Sequence, residues 1–382
     1  MMPNNTPLTH PASTNPRLAS IERARNAVIA ERSTLPSHLV APWIERSWLR
    51  CVNLGLQAND PVSFNPVSAQ LAQHTLQANQ QLVQSAKPIL ESLARAIVNT
   101  RYFAILTNAQ GVVVDASGAI DHTDPRAHLI TRVGTDLSEP SIGTTAIGTA
   151  LTELQPVWLH RGEHFFAATS VYSCAGAPLF GPDGACVGML DVTGVDAQER
   201  PELKHLVRQS ACKIENALLT AQNHSLLLRL NWPGNALGSE ADGMLCLDAD
   251  GWITGANRVA RQMVPGLAAP SLAAVHISEV FGLPYEQLFD AAKRPAQALE
   301  LPLWSGLRLQ AQAIGRGHET QHLQTCATPA MALRDVEAAM IRKAVDDARG
   351  NVGQAARALG ISRATLYRKL GQKPSLSGST SE

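Results

Sequence analysis

The sequence RYFAILTNAQGVVVDASG, residues 101–118, is the clearest secondary-structure signal in the first half of the chain. Two short runs of apolar and β-branched residues are separated by the turn-forming NAQG. Such runs around a turn predict a β-hairpin. Residues 170–180, SVYSCAGAPLF, and residues 185–194, ACVGMLDVTG, repeat this pattern on either side of GPDG. The two hairpins together predict an antiparallel sheet.

Two segments with helical spacing of apolar residues lie before and after these strands. Residues 82–98 and 203–218 place apolar side chains at steps of three and four, which is typical of a helix with one buried face. The two apolar stripes consist of Leu82, Val83, Ala86, Ile89, Leu90, Leu93 and Ile97, and of Leu203, Leu206, Val207, Ile214 and Leu218. An antiparallel sheet between two long helices predicts an α+β sensor-like domain.

The composition is that of a folded protein with several domains. The chain has 382 residues, of which 45% are hydrophobic and 17% are charged, and its formal net charge is zero. This length exceeds one ordinary core, so two or three domains are expected. No stretch approaches the about 18 uncharged apolar residues of a membrane span, and residues 1–16 lack the pattern of a signal peptide. The sequence therefore predicts a cytoplasmic protein with no membrane partner.

The cysteines and histidines do not predict a disulfide framework or a metal site. The six cysteines lack paired short spacings, so reduced thiols are the better interpretation. Residues 160–164, HRGEH, match the zinc-peptidase pattern H-x-x-E-H. That chemistry needs both histidines on one face of a helix, whereas the preceding PVWL is typical of a strand and Gly162 interrupts a helix. No metal, no cofactor and no catalytic residue is therefore expected.

The C-terminal region concentrates positive charge in this otherwise neutral chain. Residues 351–373 contain no Asp or Glu and five basic residues, which are Arg357, Arg363, Arg368, Lys369 and Lys373. Basic segments of this kind neutralise nucleic-acid phosphates. The distribution of charge therefore indicates a nucleic-acid-binding module at this end.

The same region has the spacing of a helix-turn-helix. A short helix is expected over residues 351–359, Gly360 permits a left-handed turn, and Ser362 is a natural N-cap for a helix that ends near Leu370. Burying one face of that last helix directs the opposite face outward. We expect the DNA contacts to come from Ala364, Thr365 and Arg368 at base edges, from Arg363 at a phosphate, and from the flanking Tyr367 and Lys369. A basic helical hairpin that merely packs on a neighbour is the alternative.

At this point the sequence is similar to a known family. NVGQAARALGISRATLYRKL, residues 351–370, resembles the Fis-type helix-turn-helix that ends many bacterial enhancer-binding transcription factors. The resemblance covers residues 331–372 and implies an all-α domain that binds double-stranded DNA as a homodimer, with its second helix in the major groove. The preceding helix, from Leu333, would supply the dimer contact.

The first half of the chain carries a second resemblance. It rests on RSWLRC (46–51), LSEPSIGTTAIGTAL (137–151), PVWLHRGEHF (156–165) and CAGAPLFGPDGACVGMLDVTG (174–194). These motifs resemble the N-terminal GAF region of the acetoin-catabolism regulators. The resemblance implies a helical N-terminal region and a GAF-like sensor domain over residues 17–222. Thr145 stands where family members often carry Asn. No Lys follows the second glycine of this block, so a packed turn is favoured over a phosphate loop.

Five residues are candidates for contact with a small-molecule effector, because mostly apolar walls with a few polar groups suit a small metabolite. They are Trp158, His164, Phe165, Tyr172 and Cys174. Ordinary core positions of the sheet are the competing interpretation for each of them. A redox role for Cys174 is a further alternative, although the sequence offers no obvious cation to stabilise its thiolate.

The middle of the chain predicts a second, smaller α+β domain. Residues 243–264, GMLCLDADGWITGANRVARQMV, have the pattern of a strand, a turn, a second strand and a helix from Asn257. They resemble the opening of a PAS domain, which we place at residues 237–315. Residues 316–330 are expected to be a polar linker. Residues 1–16 and 373–382 are expected to be disordered tails.

The sequence also departs from the full-length family in its domain content. No G-x-x-x-x-G-K-(S/T) motif and no GAFTGA loop occurs in it, so the AAA+ ATPase that family members carry between sensor and DNA module is not expected here. The chain is then interpreted as a DNA-binding regulator that lacks sigma-54 remodelling activity and is not an enzyme. Two alternatives are an accessory protein that pairs with a full-length homologue and dampens it, and an enzyme that acts through a thiol. RNA polymerase is a further candidate partner.

Overall fold

The computed structural model describes residues 16–33, 39–64, 67–268, 275–294 and 298–316, together with Gln354. The chain divides into two units, residues 1–316 and residues 317–382. The architecture below is that of the first unit. Apart from Gln354, the expected helix-turn-helix at residues 331–372 lies outside the described residues.

The first α+β domain is built on a five-stranded antiparallel sheet. Its strands are β1 (Tyr102–Asn108), β2 (Val113–Gly118), β3 (Val157–His160), β4 (Tyr172–Phe180) and β5 (Cys186–Val195). Their order is β2-β1-β5-β4-β3, and each neighbouring pair is antiparallel. Both expected hairpins are present, so the α+β character of this half is confirmed.

Helices surround this sheet. They are α1 (Pro16–Arg25), α2 (Pro42–Asn53), α3 (Ala69–Ala78), α4 (Gln80–Ile97), α5 (Pro125–Ile130), α6 (Glu139–Ile142), α7 (Ala146–Glu153) and α8 (Leu203–Thr220). A π-helical turn, Asn26–Ala30, continues α1. The two segments with the strongest apolar stripes in the sequence are the two longest described helices, α4 and α8.

Both long helices lie on the same face of the sheet, so the expectation that the sheet lies between them is wrong. Leu90 of α4 and Ile214 of α8 pack in one cluster with Ala104 of β1. The neighbouring Ile105 points to the opposite face, into a second cluster beneath the short helices. Every residue of Tyr102–Thr107 is buried, so polar–apolar alternation along β1 does not indicate which helix covers which face.

The glycine-rich block of residues 143–148 forms a packed turn on the second face. Gly143 has a φ of 67°, in the left-handed region that glycine tolerates. Thr145 caps α7 by accepting a hydrogen bond from the Gly148 N–H at 3.2 Å. A Cβ atom on Gly148 would lie 2.7 Å from the backbone nitrogen of Glu139. The absence of a side chain at Gly148 therefore allows α6 and α7 to approach each other closely.

A second α+β domain follows α8. Its strands are β6 (Leu226–Asn231), β7 (Gly243–Leu247), β8 (Ile253–Ala256), β9 (Leu299–Pro302) and β10 (Arg308–Gly315), in the order β8-β7-β6-β10-β9. Its helices are α9 (Arg258–Met263), α10 (Ile277–Val280) and α11 (Glu286–Ala292). The side chain of Asn257 caps α9 by accepting from the Ala260 N–H. The strand–turn–strand–helix pattern read from residues 243–264 is thus present.

Strand β6 corrects the expected start of this domain at residue 237. Residues 226–231, LLLRLN, form the central strand of the second sheet and pair with β7 and β10. Leucine is a strong helix former, and this run follows directly after the helical pattern of α8, which hides the strand in the sequence. Over the described ranges, no helix has both the length and the apolarity needed to cross a bilayer.

Candidate effector-binding site

A small cavity lies between the second face of the first sheet and the short helices α5–α7. Its volume is about 30 Å³, which is room for two or three water molecules. The walls are mostly apolar and include Ile105, Ile130, Leu137, Ile142, Ala146 and Ile147. A cavity with apolar walls and a few polar groups is the usual form of a small-molecule site.

Four polar side chains form a line along this cavity. Cys174 of β4 and Thr193 of β5 are directly paired across the sheet, and their Sγ and Oγ1 atoms are 3.3 Å apart. The Cys174 Sγ lies 3.5 Å from His164 Nε2. Thr193 Oγ1 also donates to Asp191 Oδ2. The line runs from His164 through both strands to Asp191.

One oxygen of Asp191 has no hydrogen-bond partner of standard geometry within the described part of the chain. Asp191 is 1% exposed, and its Oδ1 makes no hydrogen bond to any described residue. Burial raises the pKa of Asp191 to about 7. A buried carboxyl without a nearby cation binds its proton more tightly because the charged form loses its hydration.

The other two titratable groups of the line are uncharged. Burial lowers the pKa of His164 to about 4, so this imidazole is neutral near pH 7. Its Nδ1 lies 2.9 Å from the Arg161 carbonyl oxygen; because a carbonyl only accepts, Nδ1 carries the proton and Nε2 is an acceptor. Burial, together with the charge of Asp191, raises the pKa of the Cys174 thiol well above its ordinary value. The site therefore disfavours a reactive thiolate.

The loop that carries His164 is held by the N-terminal helices. Arg25 of α1 donates to the carbonyl oxygens of Gly162 and Phe165, each at 2.8 Å, and also to that of His164. Trp48 of α2 donates from Nε1 to the Glu163 carbonyl oxygen at 2.9 Å. Four consecutive carbonyl groups of the loop are thereby fixed by side chains from outside the sheet.

The motifs RSWLRC and LSEPSIGTTAIGTAL contact one another. Arg50 donates to both carboxylate oxygens of Glu139, and its Nη1 donates to Glu153 at 2.9 Å. Ser47 donates to Glu139 Oε2 at 2.5 Å and lies 2.8 Å from Thr144 Oγ1. This buried network attaches α2 to α6 and α7, which cover the cavity.

The structure brings together three of the five residues expected to contact an effector. His164, Tyr172 and Cys174 line the cavity. Trp158 lies on the opposite face, in the cluster formed with α4 and α8. Phe165 packs into a separate cluster with Trp48. Trp158 and Phe165 lie outside the cavity because of the direction of their side chains, since adjacent residues of an extended segment point to opposite sides.

Two of the four residues in the polar line were not expected from the sequence. Asp191 and Thr193 lie in ACVGMLDVTG, which forms a strand buried on both faces. A carboxyl residue inside such an apolar strand is the sequence signal that could have identified this site. The HRGEH histidines are not positioned as a metal pair. His160 Nδ1 contacts Ser173 Oγ at 2.8 Å, and Glu163 pairs with Arg17. Within the described ranges, no three His, Cys, Asp or Glu side chains are grouped as metal ligands.

The residues expected to contact DNA cannot be placed by the structure. Arg363, Ala364, Thr365, Tyr367, Arg368 and Lys369 all lie outside the described residues. Residues 332–372 match the family described as bacterial regulatory protein, Fis family. The expected Fis-type helix-turn-helix is thereby confirmed.

Similar proteins include known transcriptional regulators. The acetoin catabolism regulatory protein of Cupriavidus necator is 33% identical over 258 residues, which cover 65% of this chain and 37% of that protein. The propane 2-monooxygenase operon transcriptional activator MimR of Mycolicibacterium goodii is 27% identical over 59% of this chain and 39% of its own length. The matches thus span little more than a third of these relatives. The resemblance to acetoin-catabolism regulators is confirmed.

One solved structure similar to this chain is that of the E. coli DhaR(N)-DhaL complex. It aligns with 72% of this chain and 99% of its own at a TM-score of 0.44 and 16% identity. Residues 18–216, which contain every described residue of the cavity and of the network around Glu139, match the family described as MimR, N-terminal domain. This match extends over more than half of the 382 residues, and the chain therefore belongs to that family.

Proposed function

We propose that this chain is a sequence-specific DNA-binding transcriptional regulator whose first α+β domain, GAF-like in plan, senses a small metabolite. The observation that carries the proposal is a cavity with mostly apolar walls and a line of four polar side chains. The same chain matches the Fis family at residues 332–372. The ligand in the cavity and the DNA at the other end are coupled by a free energy of about 1 to 3 kcal/mol.

The size of the cavity supports a small ligand. A cavity of about 30 Å³ is far smaller than the roughly 150 Å³ that holds benzene, so a ligand of even a few carbon atoms requires the walls to move. The names of two relatives refer to acetoin catabolism and to a propane monooxygenase operon, and both acetoin and propane are short-chain compounds. A ligand of this size class is the one we propose for this chain.

We propose that the Fis-type DNA-binding module at residues 331–372 acts as a homodimer. Ala364, Thr365 and Arg368 approach base edges in the major groove, and Arg363 binds a phosphate at the helix N-terminus, with Tyr367 and Lys369 beside them. The second α+β domain is assigned as PAS-like and connects the sensor to this module. Two copies that move relative to one another on effector binding would change the spacing of their recognition helices.

The regulator is proposed to lack ATPase activity of its own. Residues 316–331 separate the end of β10 from the Fis-family match, and this is too short for a further domain. Sigma-54 remodelling is therefore not part of the proposal. The same feature favours a second candidate, an accessory protein that pairs with a full-length regulator and modulates it.

Selection of DNA from a random pool by the intact chain tests the proposal. We expect enrichment of a symmetric motif, and we expect Arg368→Ala to weaken binding to that motif by about 1 to 3 kcal/mol while relaxing its specificity. Lys369→Ala serves as the matched control and should weaken all sequences alike. Failure to enrich any motif, with DNA binding seen only after addition of a full-length relative, would favour the accessory protein instead.

A further inference from the structure

Two tryptophans of the second α+β domain are exposed to solvent. Trp252 immediately precedes β8 and is 42% exposed. Trp304 lies in the loop between β9 and β10 and is 71% exposed, and Leu307 of the same loop is also exposed. Large apolar side chains that are left in water and grouped together mark surfaces that bind another molecule. The surroundings of the two tryptophans therefore indicate what this surface binds.

Both tryptophans belong to a group of aromatic rings beside α10 and α11. The Trp252 ring contacts His276 with a centroid distance of 5.2 Å, and His276 contacts Tyr285 at the same distance. Tyr285 in turn contacts Phe289 of α11 at 6.2 Å. Trp304 donates from Nε1 to a carbonyl oxygen of α10 at 3.3 Å. These five rings form a continuous surface, which we call the aromatic strip.

Carboxylate residues border the aromatic strip. Each of them shares a hydrogen bond with a ring residue or is its neighbour in the chain, and they are Asp248, Asp250, Glu279 and Glu286. Asp248 Oδ1 accepts from the Trp252 N–H at 2.9 Å, and Glu279 Oε1 accepts from the His276 N–H at 3.3 Å. The ion pairs of this domain use other carboxylates, and within the described ranges none involves these four. The border of the strip therefore carries negative charge without a counter-charge.

This combination of rings and carboxylates favours a cationic partner. An acidic partner would place like charges next to one another, which is unfavourable. A purely apolar partner would cover the carboxylates without replacing their contacts with water. A cation is attracted to the face of a tryptophan or tyrosine ring and also forms charge-assisted hydrogen bonds with a carboxylate. Only a cation uses both features of the surface.

Arginine suits the aromatic strip better than lysine does, because its planar guanidinium stacks on a ring while its N–H groups donate to a carboxylate. The chain already uses such contacts internally, since the Arg25 guanidinium lies 5.8 Å from the Trp48 ring centroid. We propose that the aromatic strip is a docking surface for an arginine-containing segment of a partner protein. This surface uses no residue of the cavity and none of residues 331–372, so the inference is independent of the ligand and of DNA binding.

Fluorescence anisotropy of labelled peptides, titrated with the intact chain at low ionic strength, tests this proposal. The probe is a short peptide in which arginine alternates with alanine. The matched peptides carry citrulline, which is nearly the same shape as arginine but uncharged, or glutamate. We expect the arginine peptide to bind at least about tenfold more tightly than the citrulline peptide, and the glutamate peptide to bind most weakly. Equal affinities of the arginine and citrulline peptides, or no binding of the arginine peptide at about 1 mM, would overturn the proposal.

A pair of apolar variants tests whether the peptide binds at the aromatic strip. Trp304→Ala removes the most exposed ring and should lower the affinity for the arginine peptide about fivefold. Leu54→Ala is the matched control, because Leu54 is an exposed apolar side chain of the first domain, and it should leave the affinity unchanged. Both positions are at the surface, so both variants should fold.

A pair of charge variants tests the role of the carboxylates. Glu279→Gln combined with Glu286→Gln should lower the affinity for the arginine peptide about fivefold at low ionic strength, and the difference should shrink as salt is added. Glu22→Gln combined with Glu91→Gln removes the same net charge from exposed positions of the first domain and should leave the affinity unchanged. This control separates a local contact from a change in the overall charge.

The outcomes distinguish a partner protein from other occupants of the strip. Lower affinity in both strip variants, with both controls unchanged, would support the proposal. Unchanged affinity in either strip variant would overturn it. Analytical ultracentrifugation of the intact chain tests for a second copy at this surface. An oligomer that dissociates in Trp304→Ala would show that the strip binds another copy of this chain, and would also overturn the proposal.

Discussion

Arg50 of α2 donates from Nε to Glu139 Oε1 at 2.6 Å and from Nη2 to Glu139 Oε2 at 3.0 Å, a bidentate pair between two distant motifs of the sequence. The side chain of Glu139 is 7% exposed, and Arg50 is the cation that pairs with it. The pair holds the helices that cover the cavity against α2, which makes it a structural element of the sensing domain.

Removal of Arg50 should destabilise the first domain. Arg50→Ala leaves the Glu139 carboxylate buried and unpaired, and we expect a loss of about 2 to 4 kcal/mol in the free energy of unfolding, measured by urea denaturation. Arg46→Ala is the matched control, because Arg46 lies one turn earlier and pairs with Glu153 at the surface. Equal effects of the two variants would contradict the structural role of the Arg50–Glu139 pair.

Arg25 should contribute to the stability of the first domain. Its guanidinium donates to three carbonyl oxygens of the loop that carries His164, so Arg25→Ala should lower the free energy of unfolding by on the order of 3 kcal/mol. Arg23 of the same helix contacts only the exposed Ser20 among the described residues, and Arg23→Ala should leave the stability unchanged. Thermal denaturation measures both variants; an Arg25→Ala variant as stable as the unaltered chain would contradict the structural role of these hydrogen bonds.

The stability of the protein should depend on the protonation of Asp191. Burial raises its folded-state pKa to about 7 from an ordinary value of 3.8, so between about pH 4 and pH 7 the folded state holds a proton that the unfolded state has released. The stabilisation from this proton is complete below about pH 4 and is lost as the pH rises to 7, by on the order of 4 kcal/mol.

Asp191→Asn isolates this contribution. Glu163 and Glu215 also have pKa values raised to about 7 by burial, so the unaltered chain sums several such groups. The difference between unfolding free energies at pH 5 and pH 8 should therefore be smaller in Asp191→Asn than in the unaltered chain. An identical pH dependence in both proteins would contradict a raised pKa of Asp191 in the folded state.

The thiol of Cys174 should be unreactive in the folded protein. It is buried, and both burial and Asp191 raise its pKa, whereas Cys212 is partly exposed and lies 3.5 Å from the Arg258 guanidinium. Brief treatment with iodoacetamide followed by mass spectrometry should find Cys212 modified and Cys174 unmodified. Both thiols should react after denaturation. Preferential modification of Cys174 in the native protein would revive its alternative role as a redox sensor.

The sequence predicts the strands and the apolar helices but not their arrangement. The hairpin of residues 101–118 and the helix at residues 203–218 follow from local periodicity. The position of both long helices on one face does not, because the strands between them are buried on both sides. Strand β6 is hidden for a related reason, since a run of leucines is equally compatible with the end of a helix.

The candidate site was predictable only in part. Tyr172 and Cys174 share one face because they are two residues apart in a strand. The contact between Cys174 and Thr193 depends on the register of β4 and β5, which is set by packing and by the GPDG turn. Trp158 was expected in the site and Asp191 was not, and both differences have the same origin. No single strand encodes which side of a doubly buried sheet holds the cavity.

Sequence-specific action on DNA is tested most directly by a genome-wide map of DNA occupied by the intact chain in its own cells, with Arg368→Ala beside it and Lys369→Ala as the control. We expect discrete sites that share a symmetric motif, that disappear in Arg368→Ala and that persist at lower occupancy in Lys369→Ala. The absence of such sites, or sites unchanged in Arg368→Ala and shared with a full-length relative, would contradict a direct DNA-binding regulator.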